Sequence, residues 1–144
     1  MIEQDTIRLL RECDAGVKMG VAAIEGVVER IRSDRFRQVL TDSCQRHDEL
    51  DREIQHHLAR CHDDGKAPNP MAKGMSWLKT NAMLLMHNDD QTIADLMTDG
   101  CNMGVKSLHK YLNEYKAADE PSKDVAKRLI DLEQKLAVDI RSYL

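Results

Sequence analysis

Between Arg35 and His62 the apolar and small positions fall at Phe36, Leu40, Ser43, His47, Leu50, Ile54 and Cys61, on one face of a 3.6-residue repeat. The spacing predicts a helix over 34–62 with a histidine in the middle of its seam. Upstream, Ile7, Leu10, Asp14, Val17, Val21, Ile24, Val28 and Ile31 keep the same three-four alternation and predict a helix over 3–31. At ~1.5 Å per residue that helix is about 40 Å long, the length of a bundle helix. Ser33 and Asp34 can cap the next helix start, and so short a turn sends the second helix back antiparallel to the first.

The stretch HDDGKAPNP is the clearest break in the chain. Met71, Met75, Leu78, Ala82, Leu85 and Met86 then share one face and predict a shorter helix over 71–86. A direct hairpin would not need the 27 residues from Asp63 to Asp89, so this helix is expected inside a crossover. A helix over 90–117 follows, capped by Asp89 or Asp90, with Ile93, Met97, Gly100, Gly104, Ser107 or Leu108, Tyr111 and Tyr115 on its seam. Asp119-Glu120-Pro121 ends it and opens a helix over 121–143 carrying Val125, Leu129, Leu132, Leu136, Asp139 and Tyr143. Nothing reads as a strand. The expected fold is all-α, one helical-bundle domain over 1–144.

Composition narrows the function classes. Charged residues are 32% of the chain and aromatic residues 3%, which with regular apolar spacing suits helices rather than disorder. The net charge of −4 is mild and its signs are interspersed, so neither a nucleic-acid footprint nor a basic membrane face is visible. The first residues are charged from Glu3 onward, unlike a signal peptide, and no apolar run reaches the ~18 residues of a membrane span. Cys13, Cys44, Cys61 and Cys101 form no CxxC pair and read as reduced thiols; the expected location is the cytoplasm.

The order hairpin, long crossover, hairpin is that of ferritin-like bundles. Cys13-Asp14-Ala15-Gly16 followed by Ala22-Ala23, Trp77-Leu78 in the crossover, and Cys101-x-x-Gly104 with Tyr111 resemble an uncharacterised bacterial branch of the ferritin-like superfamily. The resemblance implies an antiparallel four-helix bundle with a short fifth helix between helices two and three, and a stress-related or metal-binding role. A di-iron carboxylate bundle needs a glutamate from each of two helices and Glu-x-x-His from each of the others. Here helix two has Cys44-x-x-His47, helix four has Glu133-x-x-Leu136, and helix three has Gly100 and Gly104 on its seam. The di-iron activity is therefore not expected.

Counting along the bundle sets the remaining candidates in levels. His47 lies 14 residues beyond Ser33, level with roughly Gly20, and Gly104 lies 14 beyond Asp90; counting back up helix four puts roughly Glu133 at that height. The functional reading is a single transition-metal ion held by Cys44, His47 and Glu133; the structural one is a buried histidine bonded to a carboxylate, facing glycines that leave room for its ring. Asp14, level with Arg52 and His109, is expected to find a salt bridge or hydrogen bond, since a buried carboxylate is costly alone. Asp139 near the level of Glu25 is either an acid pair or a solvated end residue. Gly16-Val-Lys-Met-Gly20 and Gly100-Cys-Asn-Met-Gly104 mean close helix approach or a ligand cavity for a small apolar molecule. Cys44 and Cys101 share a level, but a redox pair is not expected in the cytosol. His56, His57 and His62 are expected to be solvated rather than to bind metal. Met71, Met75, Met83 and Met86 form an adaptable stripe, core or partner surface, and a homodimer is the simplest partner. No catalytic residue is assigned. The expected function is non-enzymatic, structural or stress-related, through self-association or partner binding; the alternative is a degenerate metal-handling bundle.

Overall fold

The computed structural model describes residues 2–65 and 89–144. They form four long helices, α1 (Ile2–Val27), α2 (Asp34–Arg60), α3 (Asp90–Glu114) and α4 (Glu120–Asp139), with single 3₁₀ turns at Val28–Arg30 and Arg141–Tyr143. Among the described residues there is no strand, and no helix long and apolar enough to cross a membrane. The expected helix over 71–86, with Trp77 and the methionine stripe, lies outside the described residues.

Local chemistry sets the helix starts. Side chains at the N-cap accept the orphan amides of the first turn: Ser33 from Phe36 at 3.2 Å, Asp89 from Thr92 at 2.8 Å and Asp119 from Ser122 at 2.9 Å. Pro121 sits in the first turn of α4, where no intrahelical donor is lost. Glu3 and Asp5 place negative charge at the positive end of α1.

α1 packs along α2 and α3 along α4; α4 also lies against α1 and α2, and α1 against α3. The loops are tied across the two hairpins. At one end the Asp90 carboxylate accepts the amides of Arg32 (2.8 Å) and Ser33 (2.9 Å). At the other, Asp5 accepts the Ala117 amide (3.0 Å) and the Thr6 hydroxyl accepts that of Asp119 (2.8 Å). So α3 begins where α2 begins, and the helices run up, down, down, up. After α2 the chain reverses at His62, whose φ is +55°, and climbs beside α1. Asp63 pairs with Arg11 there, and Gly65 at φ +85° lies against Asp14, where a Cβ would stand 2.3 Å from the carboxylate.

The core comes in two apolar clusters. Leu9, Leu10, Val17, Leu50, Ile54, Leu58, Val125 and Leu129 anchor one, toward the His62 end. Ile24, Ile31, Phe36, Leu40, Ile93, Met97, Leu136 and Ile140 anchor the other, toward Ser33, with Tyr143 stacked on Phe36 at a centroid distance of 4.5 Å. Between them lies a polar layer. Gly26, by contrast, is an exposed glycine of α1 with nothing within 4 Å of a built Cβ. Gly26→Ala is expected to raise the unfolding free energy by roughly 0.5–1 kcal/mol through the glycine's lost backbone entropy alone, read from the urea midpoint.

Candidate functional site

The polar layer joins α2 to α4. His47 occupies the α2 seam and is 1% exposed. Its Nδ1 lies 2.7 Å from the Ser43 carbonyl oxygen one turn earlier, and 3.5 Å from the Ser43 hydroxyl. Its Nε2 faces Glu133 Oε1 on α4 at 3.3 Å. A neutral imidazole has one donor and one acceptor nitrogen, whereas a carbonyl and a carboxylate both only accept. One further proton therefore belongs between Nε2 and Oε1, and the geometry suits an imidazolium donating to a carboxylate. Burial by itself lowers the His47 pKa; the Glu133 hydrogen bond and charge, the Ser43 carbonyl and the Asp48 charge outweigh it, and the net shift is upward.

Glu133 has a third neighbour. The buried Cys101 thiol of α3 donates to its carboxylate, and burial together with the Glu133 charge raises the thiol's pKa far above the ordinary range. This sulfur is a neutral donor rather than a nucleophile. Two glycines make the layer fit. A Cβ on Gly20 would lie 2.9 Å from both Cδ2 and Nε2 of His47, and one on Gly104 would lie 3.5 Å from Glu133 Cδ. α1 thus meets the ring through bare backbone.

His47 and Glu133 meet at the level expected from the sequence, with Gly20 and Gly104 beside them. Cys44 is half-buried against the cluster of Phe36 and Leu136, and burial together with the charges of Asp48 and Glu25 raises its pKa. The residues missed in the sequence are Cys101 and the Ser43 carbonyl. Ser43 stands four residues before His47, a spacing at which a helical side chain reaches the preceding turn's carbonyl, so that signal was present. All four cysteines are free thiols; burial, with the charges of Glu12 and Asp14, pushes Cys13 up to about 12.

The other candidates resolve into local pairs. Asp14 is fully buried and accepts from Gln55 at 2.7 Å, with Lys18 Nζ 2.9 Å from its Oδ1. Burial, the neighbouring Asp14 carboxylate and their mutual hydrogen bond raise the Asp51 pKa, while Gln55 and Lys18 oppose them. Arg52 and His109, expected at that level, are exposed. Asp139 is exposed and pairs with Lys135 at 2.6 Å. His57 stands 3.9 Å from Glu53, which also takes both ends of the Arg128 guanidinium across α2 and α4, and His56 and His62 are exposed. A recess of about 210 Å³ between α1 and α2 is lined by Lys18, Glu25, Asp48, Asp51 and three apolar side chains.

A di-iron centre does not fit this layer. α3 supplies Gly104 beside Glu133 where a second carboxylate would be needed, and α4 supplies no imidazole. Among the described residues no group of three or more His, Cys, Asp or Glu is placed to hold a metal ion. Compared with known proteins, the chain matches no protein-family model, no curated protein and no solved structure.

Proposed function

We propose that the chain is a non-enzymatic, ferritin-like helical bundle that acts by association, in a structural or stress-related role, as a homodimer. The observation that carries this reading is that the buried polar groups are engaged with one another. Both nitrogens of His47 face protein acceptors, Glu133 accepts from His47 and Cys101, and Asp14 is held by Lys18 and Gln55. Such a layer belongs to a scaffold. The up-down-down-up order of the helices supports the ferritin-like assignment. Met19 at 37% exposure and Met103 at 43% lie at similar heights on adjacent helices and supply adaptable apolar surface for a second copy. Light scattering on the purified protein at micromolar concentration tests it: twice the mass of one chain is expected, and a strict monomer contradicts the association.

A second reading, a single transition-metal ion on His47 and Glu133, is favoured by one feature. The Ser43 carbonyl fixes Nδ1 and aims Nε2 at the carboxylate, the orientation that holds a metal-ligating imidazole. Elemental analysis of protein purified without chelator separates the two. Stoichiometric iron, manganese or zinc, lost in His47→Ala, supports the second reading; metal-free, folded protein supports the first.

A further inference from the structure

The polar layer takes from each helix a residue that its neighbours along the seam cannot replace. α1 gives Gly20, whereas Val17 and Ile24, a turn to either side, are buried and β-branched. α2 gives His47, between Ser43 and Leu50. α4 gives Glu133, between Leu129 or Ile130 and Leu136, and α3 gives Cys101 and Gly104. Above and below the layer the two clusters are apolar, mostly Leu, Ile and Val with Phe36 and Met97 among them.

We propose that the layer is a register key: it selects the single axial alignment of the α1–α2 hairpin against the α3–α4 hairpin. A slide of α4 by one turn, about 5.4 Å, toward the Ser33 end sets Ile130 against His47 and Glu133 against Ser43. A slide the other way sets Leu136 against His47 and Glu133 against Leu50. Either movement parts the carboxylate from Nε2 and sets the charged ring against hydrocarbon, a costly mismatch in the interior. Sliding α1 along α2 drives Val17 or Ile24 into the slot that only a glycine leaves open. The apolar seams supply no comparable discrimination, because shifting one Leu or Ile onto the next keeps hydrocarbon against hydrocarbon. The loop ties at Asp90 and Asp5 also match this alignment, but they are exposed at the ends of the bundle, where water can take over a lost hydrogen bond. At the layer it cannot.

The double variant H47L/E133L removes the key and keeps the volume. Urea unfolding and the amide ¹H–¹⁵N spectrum together read the result. The expected outcome is a compact helical protein that has lost its single set of amide cross-peaks and unfolds with a lowered m-value, as packing in several registers requires. A variant with one well-dispersed set of peaks and the wild-type m-value would overturn the proposal. So would an unfolded variant, because the layer would then supply the stability itself rather than the choice among alignments.

Discussion

Glu133→Ala is expected to cost about 3–5 kcal/mol of unfolding free energy below the ordinary histidine titration range, where the His47 ring stays charged. The reason is what remains behind. His47 is 1% exposed, its Nδ1 is already spent on the Ser43 carbonyl, and its Nε2 loses the acceptor at 3.3 Å. The freed Cys101 thiol is a donor and cannot take the carboxylate's place. Above that range the ring can shed its proton, and the loss is expected to shrink to roughly 1–3 kcal/mol, the cost of one unsatisfied buried polar group. Glu133→Gln should lie closer to wild type there, since its amide can donate to a neutral Nε2. Urea titrations of the variants on both sides of the range check the pattern; a Glu133→Ala protein as stable as wild type would remove the pair from the account.

Gly20→Ala carries the second large effect, and its sign runs against helix propensity. Alanine in place of a helical glycine ordinarily gains about 1 kcal/mol. At Gly20 the added methyl stands 2.9 Å from two atoms of the His47 ring, which is held on both sides by hydrogen bonds and cannot swing away without breaking one. Overpacking of this kind typically costs about 1–3 kcal/mol, so a net loss is expected. Gly104→Ala is the contrast: its methyl meets Glu133 Cδ at 3.5 Å, an ordinary contact, and the substitution is expected to be neutral or to stabilise by up to about 1 kcal/mol. Placing Gly20→Ala in a His47→Ala background should restore the propensity gain, because the ring it strikes is gone. Equal effects at the two glycines would mean that the ring does not fill the slot.

How far the sequence led differs from helix to helix, for physical reasons. The α2 seam from Phe36 to Ile54 is buried as the spacing required, and only its last member moves, from Cys61 beyond the helix to Leu58. α1 packs against three helices rather than one, so its buried face is broader than a single seam. Leu9, Cys13 and Val27 are buried beside it, while Ile7, Val21 and Val28 are only half-buried. In α3 the glycine spacing drew the seam onto Gly100, yet Cys101 is the buried side chain. In α4 the periodicity favoured Leu132 and Asp139, and the structure buries Glu133 and Ile140 instead. Counting residues from a turn gave height reliably enough to place His47 beside Glu133. It gave no azimuth, which is why Asp14 found Gln55 and Lys18 rather than Arg52 and His109. Periodicity also says nothing of which way a thiol points, and Cys101 entered the layer unannounced.

One proton, between His47 Nε2 and Glu133 Oε1, ties α2 to α4. Because the His47 pKa in the folded protein lies above its ordinary value of 6.5, the pair's contribution to stability is complete below that value and is lost as pH rises through the folded-state value. Following the ring resonances of His47 by NMR across that range, in the intact protein, is the direct test. A ring that stays doubly protonated past 6.5, with unfolding free energy falling from 6.5 upward and levelling off once the ring has titrated, is the predicted result; a ring that titrates at or below 6.5 would contradict it.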